Sequence, residues 1–229
     1  VEYAKAADND ILIKLTISNR GPDPAVIHAL PTIWFRNTWI WGCTHEGCWM
    51  KPKIKDRSPF VSDTCHKLLR ECKKKIDVIS FLEVETSHES LEPFVFQVED
   101  QPEWLYTDNE SNSVELWGPS AENSSKFTKD AFHRYLVRRN LNLVSFIFND
   151  IWFSVDTNAD TMNLDSGEKD AVNPKCRGTK VAAHQRLEIP AGGSRVLRMR
   201  MFAPSKPTGI PQEYKAAFGT IIRQFHHDS

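Results

Sequence analysis

The chain has 229 residues, a formal net charge of −1, 40% apolar residues and 26% charged residues. That length is enough to bury one substantial core, and the composition excludes a disordered chain. The near-neutral charge gives no global field for nucleic acid or an anionic membrane, so neither is expected as a partner.

Asp10 to Asn19 alternates strictly. Ile11, Ile13, Leu15 and Ile17 share one face and Lys14, Thr16 and Ser18 the other, the period-2 pattern of a half-buried strand. Asn19-Arg20-Gly21-Pro22 supplies the turn after it. Further strands are expected at Ala25–Phe35, Ile76–Glu85, Phe94–Val98, Glu103–Thr107 and Val114–Trp117. Phe127 to Arg139 fits a short helix or a strand equally well. In Lys180–Pro190, Val181, Ala183, Leu187 and Ile189 lie opposite His184, Arg186 and Glu188. In Ser194–Phe202, Leu197, Met199 and Met201 oppose Arg198 and Arg200, and Pro190-Ala191-Gly192-Gly193 reads as a hairpin connection between the two. Gln212 to Phe225 is the best helix, with Tyr214, Ala217, Phe218, Ile221, Ile222 and Phe225 near a 3.6-residue period.

Many strands and one late helix predict a mainly β protein, a large antiparallel β-sandwich of the supersandwich type. Residues 1–209 are read as the sandwich domain, with 43–92 and 140–166 as insertions. Residues 210–229 are read as a linker helix leading to a domain absent from this sequence. The start at Val1 without an initiator Met fits a piece of a longer protein. Leu143 to Val155, the longest apolar stretch, is interrupted by Asn149 and Asp150 and is too short to span a bilayer.

Five irregularly spaced cysteines do not form a disulfide framework, and point to a reducing, cytoplasmic location. Cys43, His45, Cys48, Cys65, His66 and Cys72 contain enough zinc ligands for a site. Cys43 and Cys48 have a suitable spacing, but Cys65 and Cys72 are too far apart for the usual paired ligands. No metal and no cofactor are expected.

Four ordered blocks carry a family resemblance. They are Val1-Glu2-Tyr3-Ala4-Lys5-Ala6 with Asn9–Ile13 and Thr16–Pro22; Leu30 to Trp39 closing on Trp41-Gly42; Thr107–Asn112 with Leu116-Trp117-Gly118 and Lys129–His133; and Lys169–Pro174 with Gly178-Thr179-Lys180, Ala182-Ala183-His184 and Pro190–Gly193. In this order they resemble the N-terminal domain of glycoside hydrolase family 63, the mannosyl-oligosaccharide glucosidases and their mannosylglycerate-type relatives. The resemblance covers about half the chain, and 43–92 and 140–166 depart from it. It implies a β-sandwich followed by an (α/α)6 catalytic toroid. The toroid would carry the paired acids of an inverting mechanism, about 6.5–9.5 Å apart. The partners it implies are that missing domain and, through the full-length enzyme, a carbohydrate substrate. No catalytic residue is expected in this segment, and alone it should be inactive.

Trp34, Arg36, Asn37 and Trp39, with Trp41, form the richest cluster. One reading is a rim on which aromatic faces stack on sugar while Arg and Asn bond hydroxyls; the other is core and interdomain packing with Arg36 paired to a carboxylate. Asp108, Asn109, Glu110 and Asn112 form a second polar rim, with Glu110 as its substrate-binding candidate, although a strand-end turn explains these residue types equally well. Lys129, Asp130, Asp170, Lys180 and His184 are assigned to a polar face meeting the missing domain, with Lys180 and His184 on the same side of one strand. A stand-alone carbohydrate-binding module is the alternative function. Asn109-Glu110-Ser111 and Asn123-Ser124-Ser125 are also glycosylation sequons, relevant only in a secretory protein.

Overall fold

The computed structural model describes residues 1–42, 50–57, 82–136, 144–148, 151–155 and 167–204. Among them the chain is mainly β: two antiparallel sheets stacked as a sandwich, with few helices. The first sheet runs β1 (Glu2–Ala7), β2 (Asp10–Ser18), β13 (Ser194–Phe202), β7 (Val95–Val98), β6 (Leu82–Ser87), β5 (Lys53–Asp56) and β11 (Arg177–Gly178). The second is organised on β12 (Lys180–Ile189). On one edge of β12, Lys180–His184 pair with β8 (Glu103–Thr107). On the other edge β12 pairs with β4 (Thr32–Trp34) and then β3 (Ala25–Leu30) in one continuous register. Beyond β3 come β10 (Ile151–Val155) and β9 (Val144–Phe148).

The alternation read from sequence sets the core. Leu15, Ile54, Val84, Phe96, Val98, Leu197 and Met199 of the first sheet meet Ala29, Trp104, Tyr106, Val181 and Ala183 of the second. Ile13, Ile17, Leu187 and Met201 pack around them, as their parity requires. Ile11, expected on that face, is 42% exposed, while Leu12 on the opposite face is buried. That opposite face of the first sheet also buries polar groups. Arg200 makes a two-pronged ion pair with Asp10 and lies 4.7 Å over the Phe202 ring, and Gln97 donates to Glu83.

Several expectations change. Ala25–Phe35 is two strands broken at Pro31, which has no N–H to give, although its carbonyl still accepts from Ala183. Val114–Trp117 is not a strand but part of a short helix, α1 (Ser113–Trp117). The Asn112 side chain accepts from the Glu115 N–H, Gly118 closes the helix at φ 91°, and no residue of α1 is buried, so no sheet face competes for it. Phe127–Arg139 resolves towards helix, α2 (Ala131–Leu136). Its Phe132, Tyr135 and Leu136 pack on Leu30, Leu105 and Ala182, on the outer face of the second sheet. Pro190–Gly193 makes the expected tight turn, with Gly193 N–H to Pro190 O and Gly192 at φ 66°. However, it joins strands of opposite sheets, so β12 and β13 form an arch rather than a paired hairpin.

Two strands of the first sheet, β5 and β6, lie within 43–92, and their Ile54 and Val84 are core residues. Likewise β9 and β10 lie within 140–166 and extend the second sheet through β3. The helix expected at 210–229 lies outside the described residues, as do Cys43, His45, Cys48, Cys65, His66 and Cys72. Among the described residues no helix is long and apolar enough to cross a membrane.

Candidate functional site

The chain places its polar motif residues at the end of the second sheet where β8 stops and β12 starts. Thr179 links three segments there: its N–H bonds Thr107 O, its carbonyl accepts from Phe35 N–H, and its hydroxyl accepts from Asn109 N–H at 2.7 Å. Gly178 is required for this approach, because a Cβ there would sit 2.2 Å from Thr107 O.

Two asparagines then tie the rims together. Asn109 donates its side-chain amide to Phe35 O at 2.9 Å, and Asn37 donates to Asn109 O at 3.0 Å. The first bond occupies the amide that a glycan on Asn109 would need. The two rims read separately from sequence are therefore one corner.

Glu110, 3% exposed, is its centre. Its Oε1 accepts from Trp39 Nε1 at 3.0 Å and from Lys51 Nζ at 2.7 Å, while its Oε2 is buried without a hydrogen-bond partner among the described residues. Asn37 Oδ1 is in the same condition. Lys51 also bonds Asp108 Oδ2 at 2.9 Å, and Ser125 donates to that same oxygen. Burial alone would pull the Lys51 ammonium down, but its bonds to Glu110 and Asp108 outweigh this and hold it above the usual lysine value. Asp108 and Glu110 thus share one cation. Chemically, the corner is a fixed ion triad that retains unfilled acceptor capacity, not a free acid/base pair.

Around the corner lie exposed apolar side chains: Trp34, Ile40 and Trp41 on one segment, Leu116 and Trp117 on α1. Arg36 stacks over Trp41, 4.8 Å from the ring centroid, and meets no carboxylate among the described residues. Trp34 sits directly across the β4–β12 pair from Lys180.

Four of the five residues assigned to the interdomain face fall on or near the outer face of the second sheet. Lys180 donates to Lys129 O at 2.9 Å and lies over the Phe132 ring. Burial, reinforced by the Lys129 charge and opposed by Asp130, takes Lys180 down to about 8. Burial would raise the Asp130 carboxyl, but hydrogen bonds from Asn112 and Thr128 more than reverse this and bring it below the usual range. Burial lowers His133, in the same neighbourhood. His184 is on the same strand face as Lys180, as its parity requires, but it belongs to a separate chain of contacts. Its Nδ1 meets Glu103 Oε2 at 3.1 Å and its Nε2 meets His28 Nδ1 at 2.7 Å, while Tyr135 OH donates to Glu103 Oε1. Asp170 lies apart, exposed on a 3-10 turn at Lys169–Ala171.

Sequence reading missed Lys51, whose role depends on partners 57 and 59 positions away and leaves no local pattern. It also missed His28 and Glu103, which alternation placed on strands without identifying the face on which they meet His184. Among the described residues no group of three or more His, Cys, Asp or Glu is placed to hold a metal ion.

No family model matches the chain, and no solved structure matches it. Among curated proteins it is similar to "Uncharacterized protein YMR196W" of the yeast Saccharomyces cerevisiae, 30% identical over 198 residues. That alignment takes in 83% of this chain and 15% of the yeast protein, so the chain spans a small part of the relative it matches.

Proposed function

We propose that this chain is the non-catalytic N-terminal β-sandwich of a larger glycoside hydrolase resembling family 63. It would buttress a separate catalytic toroid and contribute the Trp39–Glu110–Lys51 corner to a pocket for α-glucosides or related mannosyl and glucosyl substrates. The observation that carries the reading is the convergence of separate motif blocks on one corner. Asn37 and Trp39 come from one motif and Glu110 from another about seventy positions on, yet they meet where buried Glu110 Oε2 and Asn37 Oδ1 have no hydrogen-bond partner among the described residues. Sugar hydroxyls are such donors, and the flanking Trp34 and Trp41 offer faces for stacking. The small share of the yeast relative that the chain covers is compatible with a module of a longer protein. Lys129, Asp130 and Lys180 then form the polar face towards the catalytic domain. A cytoplasmic location is part of the proposal, supported by the irregular cysteine spacing; the net charge of −1 supports the absence of a nucleic-acid partner.

The test is hydrolysis of gluco- and mannosyl-disaccharides by the full-length parent protein and its Glu110→Gln variant. The reading expects activity in the parent and a raised KM in the variant. A parent without glycosidase activity, or a variant with unchanged kinetics, rejects it. The second reading, a stand-alone carbohydrate-binding module, is favoured by the exposure of Trp34, Trp41 and Trp117. It requires the same disaccharides to quench tryptophan fluorescence of the 229-residue chain alone.

A further inference from the structure

The arch of β12 and β13 leaves two strand edges open side by side. β8 pairs with β12 only as far as His184, so Gln185–Ile189 have no strand on that edge among the described residues. β7 pairs with β13 only from Met199 onward, and Glu99 N–H still bonds Arg198 O, which leaves Ser194–Leu197 without a strand on the corresponding edge among the described residues. Between them the chain crosses from β7 in the first sheet to β8 in the second at Glu99–Pro102. That crossing is fixed by Gln185 Nε2 to Glu99 O at 2.6 Å and Arg198 to Glu99 at 3.1 Å. Asp100 and Gln101 make the crossing in left-handed backbone, φ 67° and 52°, a conformation that costs free energy in non-glycine residues.

Beyond the crossing lies a groove of about 610 Å³, lined by residues of both open edges. Three features of it call for an occupant. The backbone N–H and C=O groups of Arg186 and Glu188 point to the open edge of β12, because Gln185, Leu187 and Ile189 turn theirs to β3. Gln185, 7% exposed, has a buried Oε1 with no hydrogen-bond partner among the described residues. Leu187, whose side chain faces the core, is only partly covered.

We propose that this groove takes an extended peptide strand, which adds to the open edge of β12 in line with β8. The charges specify the strand. On the outer face Arg186 and Glu188 lie two residues apart and are both exposed. An antiparallel partner meets Glu188 first and Arg186 second, so it carries a basic residue and then, two positions later, an acidic one. Between them an apolar residue covers Leu187, and the next inward residue supplies a hydroxyl donor to Gln185 Oε1. Charged side chains also guard edges against aggregation. A guard, however, explains neither the groove nor the orphaned amide oxygen buried at its base.

The experiment uses the 229-residue chain and the capped peptide acetyl-Thr-Lys-Val-Glu-Ser-amide, with the Lys and Glu exchanged in a control peptide. Amide hydrogen exchange is read residue by residue. The expected result is slowing by about tenfold or more at the Arg186 and Glu188 amides, the two that face the open edge, with the first peptide and not with the control. The double variant R186E/E188K, altered only at exposed positions, should reverse that preference. Equal protection by both peptides, or by neither at about millimolar concentration, overturns the proposal. So do Arg186 and Glu188 amides already protected in the free chain, or the same protection produced by a gluco-oligosaccharide.

Discussion

Trp39 donates its indole N–H to Glu110 across 71 positions of sequence, and the same carboxylate oxygen accepts the Lys51 ammonium. One buried atom therefore holds the Trp-rich segment after β4, the segment before β5 and the loop after β8 in fixed relation. An ion with a single solvent-facing partner is held in place by geometry, and the loss of any one contact is felt by the other two.

The first prediction concerns that atom. Glu110→Ala removes the acceptor and leaves the Trp39 N–H and the Lys51 ammonium to find others, at a cost of about 3 kcal/mol in unfolding free energy. Glu110→Gln keeps an acceptor oxygen for Trp39 and should lose less. Urea denaturation midpoints for the two variants and wild type check the order; a Glu110→Ala protein as stable as wild type would show that the corner is not structural.

The second concerns Gly178. With Thr107 O only 2.2 Å from where a Cβ would stand, Gly178→Ala forces β11 and the end of β8 apart. The loss should be about 3 kcal/mol, near the top of the overpacking range. Thr179 would move as well, so the amide of Asn109, now bonded to its hydroxyl, should exchange faster with solvent. Thermal melting and amide exchange on the one variant test both effects.

How much of this was legible in sequence depended on the range of each interaction. The alternation in β2, β12 and β13 is a local record of burial, and those strands form where it places them. α1 was misread because Val114, Leu116 and Trp117 have strand-like chemistry, whereas its conformation is decided by the Asn112 side chain and by the absence of any surface to bury against. Pro190–Gly193 was read correctly as a turn and wrongly as a hairpin, because a turn of that length does not encode whether the flanking strands bond each other or join opposite sheets. The two polar rims were legible as residue types. Their union was not, because it rests on the Asn37 and Asn109 bonds over more than seventy positions.

A third prediction concerns the face of the first sheet away from the core. The Asp10 and Arg200 side chains are 15% and 10% exposed, and the pair makes two parallel bonds. Arg200→Met alone strands the carboxylate and should destabilise by about 3–5 kcal/mol. Asp10→Leu combined with Arg200→Met removes both charges beside Leu12 and Phe202, and should recover to within about 1 kcal/mol of wild type. A double-mutant cycle in urea decides this. Equal losses in the single and double variants would mean that packing, not charge, holds this face.

The last prediction is a pH dependence, and its sign follows from Lys180. Its folded value is about 8 against 10.5 for the free side chain. Below about 8 both states are protonated, and the folded state bears the full cost of an ammonium half-buried beside Phe132 and the Lys129 charge. Between about 8 and 10.5 the folded state releases its proton before the unfolded one, so the unfolded state binds more protons and stability rises with pH. Lys51 has the opposite sign: its contribution is complete below 10.5 and is lost as the pH rises from there through its raised folded value. Stability of wild type relative to Lys180→Met should therefore improve from pH 7.5 to pH 10, while Lys51→Met should show no such change over that interval. Denaturation midpoints of the three proteins at both pH values measure it. A wild-type advantage that stays flat would mean that Lys180 titrates as an ordinary surface lysine, and that the polar face around α2 is open to water.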